Sequence, residues 1–221
     1  MLKKLLKQFR HKLLGNKREN LLSSFFFQLV NKNIKDKKIN ILDYGSGYNP
    51  DLISYLSKKL DNDNIDFEIT CADFYSEQNL VELNMKYEKI SFTTVDGLSK
   101  NITYDFIVIS DVLHHVGVKS DEILDILENL STKTEFIILK DHFEYSLFSR
   151  QILRFMDFIG NYKDGVNIPD QYFTKIDYYT MLNSLNIEKV AEIKNIKLYG
   201  KIFIPFNFSK YQFIHLLKKS H

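Results

Sequence analysis

Residues 41–47 read Ile41-Leu42-Asp43-Tyr44-Gly45-Ser46-Gly47, an apolar run that stops in a glycine-rich turn. The stretch Ile39–Tyr44 predicts a strand. Gly45 and Gly47 then let the chain turn tightly and bring its backbone up to a ligand where a Cβ would clash. Asn49 is placed to cap the helix that follows, and Pro50 suits that helix's first turn, leaving backbone N–H groups aimed at the ligand. A Gly-x-Gly pair is common on its own. Its weight here comes from standing after the first clear strand of a regular alternation.

Outward from this turn, short apolar runs and amphipathic stretches succeed one another. Asp51–Leu60 predicts a helix, Phe67–Ala72 a strand, Ser76–Tyr87 a helix and Ile90–Val95 a strand. Tyr104–Ile109 is a strand, Lys119–Leu130 a helix and Glu135–Lys140 a strand. Continuous apolar strands separated by helices imply a sheet covered on both faces. The expected class is therefore α/β, a Rossmann-like, doubly wound, mostly parallel seven-stranded sheet, whose ligands sit at the carboxyl ends of the strands. The last third is less regular: a helix over Tyr145–Ile159, a loop over Gly160–Phe173, a helix over Lys175–Leu185, and closing strands Ile187–Ile193 and Gln212–Leu217.

Upstream of the sheet, residues 2–14 place Leu2, Leu5, Leu6, Phe9 and Leu13 at helical spacing among lysines. A basic amphipathic helix over 1–16 suits either an anionic membrane surface or packing on the domain or a partner subunit. Gly15 and Asn16 break it, and Arg18–Lys32 predicts a second helix with a stripe through Leu21, Leu22, Phe25, Phe26 and Leu29. Residues 17–221 then form a single domain, with 143–185 on the acceptor side.

With 221 residues and 44% hydrophobic side chains, one substantial core is affordable within one domain. The net charge of +2 hides an asymmetry: residues 1–18 hold seven Lys or Arg and no acid, and the remainder carries 23 basic against 28 acidic residues. No stretch approaches the ~20 apolar residues of a membrane span, and the N-terminus does not read as a secretory signal. The single Cys71 excludes an intramolecular disulfide and reads as a buried hydrophobe in a strand, consistent with a reducing cytoplasm. The expected location is cytoplasmic, with peripheral contact at the inner membrane face through residues 1–14.

Acids stand at three successive strand ends. Asp43 closes the first strand and Asp73 the second, where a carboxylate accepts hydrogen bonds from ribose hydroxyls. Asp96-Gly97 ends the third, where an acid meets an adenine amino group. Any one of them also suits a helix cap. Together with Tyr104-Asp105-Phe106-Ile107-Val108-Ile109 and Asp111-Val112-Leu113-His114-His115, these motifs resemble the class I S-adenosylmethionine-dependent methyltransferases, in their small-molecule, type 11 or ubiquinone-biosynthesis-like branch. The resemblance implies S-adenosylmethionine as cofactor, held by Asp43, Gly45, Ser46, Gly47, Asp73, Phe74, Asp96, Gly97, Ser110, Asp111 and Val112. In it the glycine turn cradles the methionine portion, Asp73 the ribose and Asp96 the adenine, while Ser110–Leu113 line the methyl-transfer face.

The C-terminal third resembles a bacterial subgroup of such enzymes through Lys140-Asp141-His142, Arg154-Phe155-Met156-Asp157-Phe158-Ile159-Gly160-Asn161, Gly165-Val166, Ile168-Pro169 and Tyr172. The likeness spans residues from Arg18 to the C-terminus. One departure is the missing third glycine of the turn, where Tyr48-Asn49-Pro50 stands. It speaks against a dinucleotide pyrophosphate, which needs close helix approach, and leaves the path of the cofactor carboxylate open.

A sulfonium is already an activated electrophile, so the protein's main tasks are to align an acceptor lone pair and exclude water. An alcohol acceptor also needs its proton removed, for which a histidine near neutrality suffices. Two clusters offer one: Asp111 with His114-His115, and Asp141-His142. The sequence favours His142 as general base, with Asp141 orienting an imidazole or the acceptor, and His115, in the cluster with Asp111, as the second choice. These ligand types are compatible with a His/Asp metal site, but no tight spacing marks one, and none is expected. Asp157, Asn161, Tyr172 and Tyr178 are placed to bind the acceptor, while Phe143, Tyr145, Phe148, Phe155 and Phe158 suit core more than pocket.

The expected function is therefore O-methylation of a small-molecule, glycan- or lipid-linked acceptor. A nicotinamide-dependent oxidoreductase on the same fold and a non-catalytic cofactor-binding relative are the alternatives. Nucleic acid is not an expected partner, because the body is acidic and lacks an Asn-Pro-Pro-type tetrapeptide.

Overall fold

Side chains alternate in direction along a strand, and here that alternation builds two cores from one sheet. The computed structural model describes residues 16–34, 38–48, 50–87, 89–99, 101–160, 167–194, 196–198 and 208–220. Its strands are β1 (Lys38–Tyr44), β2 (Asp66–Asp73), β3 (Ile90–Thr94), β4 (Tyr104–Ser110), β5 (Thr134–His142), β6 (Ile187–Glu192) and β7 (Gln212–Lys219). The helices are α1 (Asn16–Asn33), α2 (Asp51–Asn62), α3 (Glu77–Lys86), α4 (Leu113–Val116), α5 (Asp121–Ser131), α6 (Leu147–Gly160) and α7 (Lys175–Ser184). The seven strands order as β3-β2-β1-β4-β5-β7-β6. Pairs among β1 to β5 are parallel, whereas β7 inserts antiparallel between β5 and β6.

Ile39 and Ile41 of β1, with Phe106 and Val108 of β4, face Leu22, Phe26 and Val30 of α1 and Ile53, Leu56 and Leu60 of α2. Their neighbours Leu42, Tyr44, Ile107 and Ile109 face the other way, onto Ile123, Leu127 and Leu130 of α5 and Met181 and Leu182 of α7. Each such buried aliphatic side chain contributes about 1.5–3 kcal/mol. The sheet is thus anchored on both faces, and its carboxyl edge is left to carry polar groups. Cys71 is fully buried in β2, as a small hydrophobe.

The doubly wound α/β architecture agrees with the sequence pattern, and the differences lie at the ends of elements. Ser76 and Ser120 cap α3 and α5 by accepting from the backbone N–H of Asn79 and Glu122, so both helices start after the predicted residue. Pro50 is itself the N-cap residue of α2 rather than part of its first turn. Asn49, the predicted cap, lies outside the described residues, as do the basic segment 1–15 and Asn161. Asn16 opens α1. Strand β5 runs on to His142, because Lys140, Asp141 and His142 continue the ladder against Ile214, Phe213 and Gln212. The short helix α4 was not foreseen.

The aromatics of the acceptor side divide. Phe143 is core, stacked on Phe213 at 4.2 Å between ring centroids. Tyr145, Phe148, Phe155 and Phe158 are exposed, the last three with Leu147 on α6, contrary to the core expectation. Among the described residues no helix is long and apolar enough to cross a membrane.

Candidate functional site

At the carboxyl ends of β1 and β2 the backbone makes the site. Gly45 has φ +74° and Gly47 φ +66°, the left-handed region that costs an L side chain about 1–2 kcal/mol. A Cβ on Gly45 would lie 2.4 Å from Val112 Cγ2, so the turn and the end of β4 pack too closely for any side chain there. Gly45 N–H donates to the Ala72 carbonyl at 2.8 Å, extending the β1–β2 ladder into the turn.

Asp73 ties the same turn down from β2. Its carboxylate accepts from Gly47 N–H and from its neighbour Phe74 N–H, both at 2.6 Å. Two further lone-pair positions of a carboxylate remain for a ligand. Tyr75 completes the brace: its hydroxyl meets Ser46 Oγ at 2.5 Å and donates to the Gly47 carbonyl at 2.7 Å. Beside it Phe74 stands 77% exposed, an aromatic face next to the acid. Asp96 is exposed beyond β3, and Gly97 N–H donates to the Thr94 carbonyl, closing a tight turn.

Asp43 is buried under this turn. Desolvation, with the Asp73 and Glu19 carboxylates adding to it, pushes its carboxyl up to about 8, so it is largely protonated at neutral pH.

At the ends of β4 and β5 the site is made by side chains. Asp111 takes φ +60°, which turns its carboxylate back over the sheet while its N–H still donates to the Lys140 carbonyl. That carboxylate pairs with the Lys140 ammonium and, at 2.9 Å, with the Arg18 guanidinium reaching down from α1. Lys140 is fully buried. Burial alone would raise the Asp111 carboxyl; Lys140, His142 and Arg18 outweigh it and hold it well below the usual range.

Asp141, also fully buried, accepts from His114 Nδ1 at 2.6 Å and from His142 N–H at 2.7 Å. Asp157 of α6 lies on the other side of the His114 ring, its Oδ2 3.4 Å from Nε2 and outside hydrogen-bond alignment. Burial would lower the His114 imidazolium, but Asp141 and Asp157 push it up to about 10. The Tyr172 hydroxyl donates to Asp157. Glu144 anchors the loop that carries Tyr172, accepting from its N–H at 3.0 Å and from Arg150 through two guanidinium nitrogens.

His142 is 4% exposed, and its Nε2 accepts from the Gln212 amide at 2.8 Å. Its Nδ1 faces Asp111 and Asp141 at 3.3 and 3.5 Å. Burial and the Lys140 charge lower its pKa. His115 is half-buried, with Nδ1 3.0 Å from the Asn167 carbonyl; a carbonyl accepts only, so Nδ1 carries the proton and Nε2 the lone pair. Burial and the His114 charge lower its pKa as well.

The structure therefore gathers Asp43, Gly45, Ser46, Gly47, Asp73 and Phe74 at one end of the edge. Ser110, Asp111, His115, Asp141, His142, Asp157 and Tyr172 gather at the other, with Val112 between the two, against Gly45. It places Tyr178 elsewhere: fully buried, with its hydroxyl 2.9 Å from His215 Nδ1 of β7 and its ring against Phe143 and Phe213. The aromatic packing of β7 behind α7 draws it inward, away from the acceptor side. Arg18, Glu19, Tyr75 and Gln212 were missed. The charged triplet Lys140-Asp141-His142, closing an otherwise apolar strand, was the one local sign that a buried ionic network exists.

No protein-family model and no curated protein matches the chain. Solved structures do match in fold. An S-adenosylmethionine-dependent methyltransferase from Clostridium acetobutylicum ATCC 824 superposes with TM-score 0.62 at 16% identity over 100% of both chains. The plantazolicin methyltransferase BpumL, solved with a desmethyl analogue and SAH, superposes at 0.60 and 16% identity, over 99% of this chain and 90% of its own. The mitomycin 7-O-methyltransferase MmcR superposes at 0.62 and 10% identity over 94% of this chain, which spans only 54% of its length.

Proposed function

We propose that this chain is an S-adenosylmethionine-dependent methyltransferase acting on a hydroxyl of a small-molecule, glycan- or lipid-linked acceptor. The observation that carries the reading is the cradle at Gly45 and Gly47, where a Cβ would strike Val112 and Asp73 presents a half-buried carboxylate. A nucleoside fits these groups: ribose hydroxyls on Asp73, the adenine beside Phe74 and Asp96, the amino-acid end over the turn. The same fold carries methyltransferase chemistry in the three proteins named above, which makes it a sound platform for the activity and no more.

The cofactor would supply a methyl group on a positively charged sulfur. Transfer of that methyl to a hydroxyl oxygen would leave a neutral thioether and release the hydroxyl proton. This chain's residues align the acceptor and receive that proton. His115 and Asp157 stand at the mouth of the ionic cluster, where an acceptor arrives from solvent. His142 and Asp141, favoured by strand order, lie behind them. With Nε2 committed to Gln212 and Nδ1 buried beside Asp111 and Asp141 outside hydrogen-bond alignment, His142 is set back, and His115 takes the place nearest the acceptor.

Calorimetry and thermal shift with S-adenosylmethionine and SAH test the reading. Binding of both is expected, and NAD(H) should give none. Silence toward the first two removes the assignment, and NAD(H) binding would favour the oxidoreductase. The acceptor is then sought as a metabolite displaced by one methyl mass between parent and deletion strains.

A further inference from the structure

His114, His115 and Asp157 bring three ligand atoms within 4.8 Å of one another at the mouth of the cluster. His114 has its Nε2 buried and without a hydrogen-bond partner among the described residues, although it points at Asp157 from 3.4 Å. An ion bound between them would displace the Nε2 proton of this imidazolium–carboxylate pair, whose nitrogen and oxygen are disposed as two ligands of one ion. Ligands at ~2.1 Å from a tetrahedral centre stand about 3.4 Å apart.

The groups behind each ligand fit the same purpose. A metal-binding histidine commonly donates its other N–H to a carboxylate or a carbonyl, which fixes the ring and its tautomer. His114 Nδ1 meets Asp141 at 2.6 Å and His115 Nδ1 meets the Asn167 carbonyl at 3.0 Å. The third ligand, Asp157, is held by the Tyr172 hydroxyl. A second grouping, Asp111, His114, Asp141 and His142, also lies within 4.8 Å. Its Asp111 is already neutralised by the buried Lys140 ammonium and by Arg18, so a cation there would meet two like charges.

We infer that His114, His115 and Asp157 form a binding site for one divalent transition-metal ion, with the remaining coordination positions open to the hydroxyl oxygen of the acceptor. Two imidazoles and one carboxylate suit Zn(II), Fe(II), Co(II) or Mn(II) better than Mg(II) or Ca(II), which prefer all-oxygen sets. Three protein ligands leave an open site of the catalytic kind. The ion's use rests on the methyltransferase reading: coordination lowers the hydroxyl's pKa, its proton leaves to solvent, and the oxygen is held as an alkoxide before the methyl. His115 then acts as ligand and need not take the proton itself.

The test is a titration of chelator-stripped, full-length protein with Co(II), read by its visible d–d absorption, alongside the SAH thermal shift. One equivalent of Co(II) should produce the bands, and Zn(II) should abolish them. Asp157→Asn and His115→Ala, both at half-buried positions, should each weaken Co(II) at least tenfold, and Tyr172→Phe by about 10-fold, while all three keep the SAH shift. Absence of bands at one equivalent, or bands unchanged in both ligand variants, overturns the site even if SAH binds. Co(II) binding without any SAH shift would leave the ion site standing and remove its methyltransferase role.

Discussion

The two ends of the cleft are built from different materials. At the β1–β2 end, backbone does the holding: two glycines with positive φ, an N–H on Asp73 and a carbonyl on Tyr75, all within residues 43–75. At the β4–β5 end, charges do it: Arg18 from α1, Asp111 after β4, His114 from α4, Lys140 to His142 in β5 and Asp157 from α6 meet in one buried network. A backbone cradle tolerates almost any side chain around it but forbids one at Gly45. An ionic network tolerates no unpaired member. The first should fail by losing ligand, the second by losing stability.

The largest effect is expected from breaking the network while leaving its shape. Asp111→Ala strips the fully buried Lys140 of its carboxylate, and an uncompensated buried charge costs about 3–5 kcal/mol. Burial lowers the Lys140 pKa, and the Asp111 charge opposes that. Chemical denaturation measures the loss. Adding Lys140→Met should restore most of the stability; if the double variant is as unstable as the single one, the pairing is not what Asp111 supplies.

At the other end Gly45→Ala should unfold little and bind poorly. The substitution meets both a left-handed φ and Val112 Cγ2 at 2.4 Å, so about a 100-fold loss in S-adenosylmethionine affinity, near 2.7 kcal/mol, is expected by calorimetry. Val112→Ala in the same chain removes the clash but not the dihedral, and should recover part of the loss. Full wild-type affinity in Gly45→Ala would mean that the cradle does not hold the ligand.

This contrast also governs what the sequence made legible. The cradle's glycines are two residues apart and demanded by backbone geometry, and its acid ends the next strand, so Gly45, Gly47 and Asp73 stood out. Strands β1 and β4 read as continuous apolar runs, as strands covered on both faces do, and the sheet was predictable from them. Arg18 looked like one more basic residue of the N-terminal stretch, and Gln212 like an ordinary strand residue. Their partners Asp111 and His142 lie far along the chain, and no local spacing encodes that pairing. Of the metal-type grouping the sequence offered the ligand types and not the set, because Asp157 joins two adjacent histidines only through the packing of α6. Tyr178 was misplaced because a tyrosine in a loop-rich region says nothing of which face its helix will bury.

Asp43 allows a finer comparison, since it lies beneath the backbone cradle yet responds to charge. With its carboxyl pushed up to about 8, it is neutral at pH 7 and ionised at pH 9. A bound sulfonium favours the carboxylate, so affinity for S-adenosylmethionine should rise about tenfold from pH 7 to 9. SAH shares the amino-acid portion without the sulfonium and should rise much less. Asp43→Asn should remove the difference between the two ligands. An equal slope for both in the native protein would show that Asp43 does not sense the ligand's charge.

The smallest effect is expected at Tyr178, which belongs to neither end. Its hydroxyl meets His215 Nδ1 inside the aromatic packing of β7, and burial together with the Lys189 charge pushes the His215 pKa down to about 4. The folded state therefore binds fewer protons there than the unfolded chain, whose histidine titrates near 6.5. Stability from this group is complete above about pH 6.5 and declines as pH falls toward 4. Tyr178→Phe removes one buried hydrogen bond and should cost about 1 kcal/mol at pH 7, with S-adenosylmethionine affinity and acceptor turnover unchanged. A drop in turnover at constant stability would return Tyr178 to the acceptor site, where the sequence had put it; unchanged turnover keeps it in the core, packed against Phe143 and Phe213.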